Sequence, residues 1–170
     1  MSKLEILTYP NKFLLQPTKP VENIDGKIQG LIDNMAATMY EAPGAGLAAI
    51  QVGSDRSLLV YDVSSPEGER SLQVLMNPRI VSSEGEVISE NEGCLSVPDF
   101  RADVKRATSI LVEGVDREGN PLRIEAGGYL AIVLQHEIDH LRGILFIDHV
   151  SPLKRTLYKN RIKKMMKRKG

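Results

Sequence analysis

The segment LQHEIDHLRG, residues 134–143, constrains the fold more strongly than any other part of the chain. It holds two of the three histidines among 170 residues, four positions apart, with Glu137 directly after the first. Residues four apart lie on one face of a helix, so His136 and His140 can bind the same metal ion. Glu137 then lies beside the ion and can take a proton from an attacking water. The segment predicts a helix over residues 129–142 that carries a hydrolytic metal centre.

The helix does not determine the third metal ligand. A catalytic site needs three protein ligands and an open position, and Asp148 and His149 lie downstream, as in many HExxH hydrolases. Upstream lies the single cysteine, Cys94, whose thiolate would suit a soft or borderline divalent ion, although a lone cysteine is more often a small buried residue. Gly93 permits a close backbone approach, and we expect Pro98 to end this segment. The residues alone therefore leave three candidates for the third ligand: Asp148, His149 and Cys94.

Composition indicates an ordinary globular protein with an aliphatic core. Hydrophobic residues make up 42% of the chain, charged residues 26%, and tryptophan is absent. No apolar run approaches the roughly 20 residues that a membrane span needs, and the start of the sequence does not resemble a signal peptide. With one cysteine there is no internal disulfide, which favours a reducing compartment. We therefore expect a cytoplasmic protein without a membrane segment.

The hydrophobic pattern predicts an α+β fold. An apolar stripe with helical spacing indicates an N-terminal helix over residues 25–41, and Ser151 with Pro152 marks the start of a last helix. That last helix is expected to use Leu153, Leu157, Ile162, Met165 and Met166 as its apolar side. Strands are predicted at residues 57–63 and 71–78, with a stretch at 78–90 that either continues or turns at Gly85. A hairpin is predicted around REGN, 117–120.

Three separated motifs together resemble those of the peptide deformylase family. They are GAGLAAIQ at residues 44–51, EGCLS at 92–96 and QHEIDHLRG at 135–143. The order of the motifs and the upstream cysteine segment distinguish this family from other HExxH hydrolases. The resemblance implies a metal-dependent hydrolase that removes the formyl group from the N-terminal formyl-methionine of nascent polypeptides and releases formate. It also implies antiparallel sheets around a central metal-binding helix, with a helix at each terminus.

The resemblance assigns roles residue by residue. It implies Cys94, His136 and His140 as metal ligands, Glu137 as the acid–base, and Gln51 and the Leu95 amide as oxyanion donors. Residues within or near the motifs are expected to contact the substrate: Ala45, Gly46, Leu47, Glu92, Gly93, Tyr129, Ile132 and Val133. Arg101 or Arg106 is a candidate partner for Glu92. Two departures from the family pattern, Ala45 for a larger residue and Ile50 for a frequent threonine, affect packing and not chemistry.

The resemblance also bears on the cofactor. It implies one divalent ion, with Fe²⁺ as the native metal, Ni²⁺ or Co²⁺ as active substitutes and Zn²⁺ as a poor one. Thiolate and imidazole ligands by themselves suit both zinc and iron.

The distribution of charge separates the C-terminal segment from the rest. Residues 154–170 hold nine of the 22 basic residues and no acid, which leaves 13 basic against 22 acidic residues elsewhere, a balance of −9. We expect residues 1–150 to form the catalytic part and 151–170 to add a basic helix to the same single domain. Such a helix favours contact with a polyanion, and the resemblance implies ribosomal RNA. The protein is expected to be a monomer.

Two other functions fit parts of the sequence. A zinc endopeptidase would take its third ligand from Asp148 or His149 and would leave Cys94 unexplained. An RNA-binding module with a structural metal would need four protein ligands, whereas three good ones are present.

Overall fold

The computed structural model describes residues 2–169 as three helices around two antiparallel sheets. The strands are β1 (Gly46–Ala48), β2 (Leu58–Tyr61), β3 (Gln73–Glu84), β4 (Val87–Cys94), β5 (Val97–Arg106), β6 (Ser109–Val115) and β7 (Pro121–Gly127). The helices are α1 (Gly26–Glu41), α2 (Gly128–Leu141) and α3 (Pro152–Lys169). One sheet has the order β1-β2-β3-β6-β7, and β4 pairs with β5 in the other. The predicted α+β architecture is confirmed.

The larger sheet lies between α1 and α2. Alternate residues of β2 face opposite sides, so Leu58 and Val60 pack with α1, whereas Leu59 packs with α2. On α1 the apolar stripe is buried through Ile28, Ile32, Met35 and Met39. On α2 the corresponding residues are Ala131, Leu134, Ile138 and Leu141. This packing buries one face of α2 against the sheet, and His136 lies outside that apolar face.

Several predicted boundaries are confirmed. The Asp25 carboxylate caps α1 by accepting from the Ile28 amide, and Ser151 Oγ accepts from the Lys154 amide at 3.3 Å at the start of α3. The hairpin around residues 117–120 forms between β6 and β7. The stretch after residue 78 both continues and turns: β3 runs to Glu84, and Gly85 follows with φ +71°.

Two sequence expectations were wrong. Pro98 does not end the cysteine segment, because it is the second residue of β5 in a two-stranded sheet, where a residue without an N–H is tolerated. The apolar side of α3 is also different. Of the five predicted apolar residues only Ile162 is buried, whereas Leu153, Leu157, Met165 and Met166 are exposed. Tyr158, which was not predicted, is buried with Ile162 against β5 and a 3₁₀ turn, Phe146–His149.

None of the helices within residues 2–169 is both long and apolar enough to span a lipid bilayer.

Candidate active site

The two motif histidines lie on one face of α2, as the spacing predicted. The Nε2 atoms of His136 and His140 are 3.3 Å apart, and their rings meet edge to face. The ring of Phe146 stacks against His136 with centroids 6.2 Å apart. Phe146 therefore restricts the orientation of the His136 ring, and the Nε2 atoms of the two rings face each other.

Cys94 completes this cluster from a different part of the chain. It ends β4 beside a two-residue hairpin, and its Sγ lies 3.3 Å from His140 Nε2. The donor atoms of Cys94, His136 and His140 all lie within 4.8 Å of one another. Asp148 and His149, the alternative third ligands, lie outside the cluster: Asp148 accepts from the Leu145 amide, and His149 contacts Asp139.

The spacing of the donor atoms suits a transition-metal ion. In a tetrahedral site with sulfur at about 2.3 Å and nitrogen at about 2.0–2.1 Å, neighbouring donors lie about 3.3–3.6 Å apart. The separations of 3.3 Å for Sγ–Nε2 and for Nε2–Nε2 agree with that range. One thiolate and two imidazoles could hold zinc or iron and leave a position open for a reactant.

Glu92 orients His136 from behind. Its Oε1 accepts from His136 Nδ1 at 2.8 Å, which turns Nε2 toward the donor cluster. Arg106 donates to both oxygens of Glu92 and to Asp139 Oδ2. Burial would raise the pKa of Glu92, but the bonds from His136 and Arg106 lower it to about 2. We expected Glu92 to contact substrate. Its carboxylate is bonded to these two partners, and Arg106 supplies the buttress; contact between Glu92 and substrate stays a prediction.

The two histidines differ in proton affinity. Burial acts to lower the pKa of His136, but its hydrogen bonds to Cys94 and Glu92 outweigh burial and raise that pKa well above the ordinary value. For His140, burial and the nearby His136 and Arg106 lower the pKa well below the ordinary value. A neutral ring is the form that ligates a metal, so binding of an ion would displace a proton from His136.

Glu137 directly follows His136 on α2 and is buried. It is 6% exposed, and burial raises the pKa of its carboxyl group to about 7. Its Oε1 has no hydrogen-bond partner among the described residues. A carboxylate with this pKa can accept and return a proton near neutral pH. The free oxygen is consistent with a reactant that binds beside it.

The side chain of Gln51 reaches Cys94 from a 3₁₀ turn, Ala49–Val52. Its Oε1 accepts from the Ala48 amide at 2.9 Å, which directs Nε2 to Ser96 Oγ at 3.0 Å and toward Cys94 Sγ at 3.7 Å. Leu95 directly follows Cys94 in the two-residue loop between β4 and β5. Sequence reasoning missed Ser96, which is fully buried and also donates its amide to Cys94 Sγ at 3.4 Å.

A cavity of about 800 Å³ opens beside the cluster. Its lining includes most of the residues expected to contact substrate: Ala45, Gly46, Glu92, Gly93, Leu95, Tyr129, Ile132 and Val133. Leu47 is not among them. It is fully buried in the core between α1 and the sheet, because successive residues of β1 point to opposite faces. Phe100 and Arg101 also line the cavity and were not predicted there; their strand, β5, carries no motif of its own.

Comparison with known proteins gives one consistent result. The family model for polypeptide deformylase matches residues 3–156. A peptide deformylase of Desulfosudis oleivorans is 56% identical over 167 residues, which cover 98% of this chain and 96% of the relative.

Solved structures show the same similarity. The crystal structure of a peptide deformylase from Legionella pneumophila has a TM-score of 0.89 and 44% identity, and covers 99% of this chain and 98% of that one. The peptide deformylase of Ehrlichia chaffeensis, solved in complex with actinonin, has a TM-score of 0.90 and 40% identity, with coverage of 97% and 98%.

Proposed function

The chain belongs to the polypeptide deformylase family, and from this premise we propose how its own residues carry out the reaction. The protein is a hydrolase that removes the formyl group from the N-terminal formyl-methionine of nascent polypeptides. Water is consumed, the formamide C–N bond breaks, and formate and a free amine are released. The observation that carries the proposal is the convergence of Cys94, His136 and His140 beside the buried Glu137.

We assign Cys94, His136 and His140 as the ligands of one divalent ion. When bound, such an ion supplies a Lewis acid that polarises the carbonyl and makes water acidic enough to ionise near pH 7. The ligand set is supported by the donor spacing and by the bond from Glu92 to His136, which fixes the tautomer. The thiolate reduces the net charge of the site compared with a third neutral histidine. Fe²⁺ is our proposed native metal, with Ni²⁺, Co²⁺ or Zn²⁺ able to occupy the site.

Glu137 acts as the general base and then the general acid. Its free Oε1 accepts a proton from the attacking water as the new C–O bond forms. It delivers that proton to the leaving nitrogen when the C–N bond breaks. The pKa of about 7 suits both steps, because the group can change protonation state near neutral pH.

Gln51 and Leu95 are the proposed donors to the developing oxyanion. The Ala48 amide holds Gln51 so that its NH₂ group faces the cluster, and the two-residue hairpin fixes the Leu95 amide next to Cys94. Such prearranged donors do not need to reorganise during the reaction. Loss of one donor typically costs ~10²–10³-fold in rate.

The cavity supplies the binding site for the methionine side chain. Ile132 and Val133 lie one turn before His136 on α2, and Leu95 and Tyr129 line the same space. An unbranched thioether gains from burial against such aliphatic walls. Ala45, Gly46 and Gly93 present backbone at the edge of the cavity, where an extended peptide can approach closely.

We further propose that the protein is a cytoplasmic monomer that meets its substrate at the ribosome through α3. Between residues 152 and 168 of this helix six cations are exposed: Lys154, Arg161, Lys163, Lys164, Lys167 and Arg168. A polyanion such as RNA is the natural partner of this surface. Residues 1–150 and 151–170 would form one domain, a proposal supported by the burial of Tyr158 and Ile162 against β5.

Formate release tests the proposed function directly. Protein purified without oxygen and loaded with Fe²⁺ or Ni²⁺ should release stoichiometric formate from formyl-Met-Ala-Ser and none from acetyl-Met-Ala-Ser. Absence of formate from metal-loaded protein would overturn the assignment. Cleavage of an internal peptide bond would instead favour an endopeptidase.

A further inference from the structure

The third histidine of the chain, His149, reaches the metal-binding cluster through side chains. His149 Nε2 lies 2.8 Å from Asp139 Oδ2, and the same oxygen accepts from Arg106 Nη1 at 3.0 Å. Arg106 also donates to both oxygens of Glu92, and Glu92 Oε1 accepts from His136 Nδ1. An unbroken series of hydrogen bonds therefore connects a residue at the surface to a proposed metal ligand.

Burial increases along this series. The exposed fraction of the side chain falls from 37% at His149 to 15% at Asp139 and 4% at Arg106. The Arg106 guanidinium thus pairs with two carboxylates, Glu92 and Asp139, that are largely shielded from solvent. His149 is a second hydrogen-bond donor to Asp139, so the interaction of Asp139 with Arg106 is weaker than it would be without His149. The guanidinium of Arg106 can then bind Glu92 more strongly.

The backbone that carries His149 is held firmly against the same histidine. His149 ends the 3₁₀ turn Phe146–His149, in which residues three apart lie on one side. Phe146 is buried and stacks on the His136 ring, while Asp148 fixes the start of the turn by accepting from the Leu145 amide. One short turn therefore contacts His136 directly through Phe146 and indirectly through His149.

We propose that His149 is a positioning residue of the metal centre. By donating to Asp139, it keeps Arg106 bound to Glu92, and Glu92 in turn keeps His136 Nε2 directed at the ion. Without this donor, Arg106 shifts toward Asp139, the hold on Glu92 weakens, and the ion leaves more readily. The inference rests on the proposed ligand set Cys94, His136 and His140.

Release of Co²⁺ tests the proposal without reference to activity. Loaded protein is mixed with excess chelator, and the decay of the cobalt absorption is followed. We expect His149→Ala to release Co²⁺ about tenfold faster, at the lower end of the effect of losing a partner that orients a ligand. His149→Gln, whose amide places a donor near the position of Nε2, should restore the wild-type rate. Arg79→Ala, which removes an exposed ion pair to Glu113, is the matched control and should leave release unchanged.

A double-mutant cycle with Asp139→Asn tests the route. If His149 acts through Asp139, His149→Ala should add nothing to the release rate in the Asp139→Asn background. Additive effects would overturn the proposal, as would a His149→Ala protein that releases Co²⁺ at the wild-type rate. Failure of the wild type itself to show a sulfur-to-cobalt charge-transfer band would instead overturn the proposed ligand set. Denaturant midpoints show whether each variant is folded, and His149→Gln provides a second readout if the alanine variant is not.

Discussion

Gly46 lies against the carboxylate of Glu137. A β-carbon built on Gly46 would stand 2.8 Å from both Cγ and Oε2 of Glu137, closer than non-bonded atoms approach. The glycine therefore permits the acid–base to occupy its position beside the metal-binding cluster. Backbone from β1 and a side chain from α2 meet here with no space between them.

Gly46→Ala should displace Glu137 and lower kcat while the protein still binds metal. A displacement near 1 Å can cost on the order of 10²-fold in rate, and we expect a loss of about that size. The matched control is Gly30→Ala on α1, where an added β-carbon meets nothing within 4 Å. The control should retain activity and be slightly more stable, since alanine favours a helix. Full activity in Gly46→Ala would show that Glu137 tolerates displacement.

Glu137→Gln should remove proton transfer and keep the shape of the site. We expect kcat to fall on the order of 10²–10⁴-fold, while metal content and substrate affinity stay close to wild type. Steady-state formate kinetics and metal analysis on the same preparation provide the check. Activity within a few-fold of wild type would exclude Glu137 as the acid–base.

The stability of the fold should depend on pH through Asp62, whose carboxylate bonds to Tyr40, Ser64 and Ser71. Burial acts to raise the pKa of Asp62, but hydrogen bonds from Ser64, Tyr40 and Ser71 lower it to about 2 from 3.8. A lowered pKa means that the stabilisation is fully present above about pH 4 and is lost as pH falls toward 2.

Asp62→Asn measures this contribution. We expect the variant to lose about 1 kcal/mol of unfolding free energy at pH 7, after allowance for solvent screening of a partly exposed group. The difference from wild type should shrink as pH falls from 4 toward 2. Tyr40→Phe, which removes the 2.6 Å bond from the tyrosine hydroxyl, should show a smaller difference of the same sign. A difference that does not vary with pH would contradict the assignment.

Exposed lysines on α3 should determine binding to ribosomes. We expect the triple variant Lys163→Gln, Lys164→Gln and Lys167→Gln to lose most co-sedimentation at low salt, because phosphate contacts dominate such binding. The control changes net charge equally at exposed sites elsewhere: Lys12→Gln, Lys27→Gln and Lys105→Gln. Substitution is preferable to truncation, since removing α3 would expose the partners of Tyr158 and Ile162. Equal binding by both triple variants and the wild type would exclude α3 as the anchor.

Sequence reasoning succeeded where spacing along one element determines geometry. The four-residue separation of His136 and His140 requires only an α-helix to bring the two rings together. Sequence reasoning was less informative where the burial of a side chain depends on packing against elements that are distant in sequence. The apolar side of α3 was only partly right: Ile162 packs against β5 as predicted, but its buried neighbour is Tyr158 and not Leu153 or Leu157. Leu47 was predicted to contact substrate because it lies within a motif, although the alternation of β1 turns it into the core.

Long-range polar contacts were the hardest part of the site to predict. Arg106 and Glu92 are 14 residues apart in a pair of strands with two irregularities in register, so the sequence alone left Arg101 as an equal candidate. The bond from His149 to Asp139 depends on a 3₁₀ turn after α2, and the sequence identified His149 only as a possible ligand. The proximity of Cys94 to His136 and His140 could be predicted because the cysteine segment resembles a known motif.

X-ray absorption at the metal edge tests most directly whether one sulfur and two ring nitrogens from distant segments bind the same ion. On Fe²⁺- or Co²⁺-loaded protein, we predict one sulfur scatterer at about 2.3 Å and two imidazole nitrogens at about 2.0–2.1 Å. Cys94→Ser should remove the sulfur scatterer and leave the nitrogens. A wild-type spectrum without sulfur in the first coordination sphere would contradict the account.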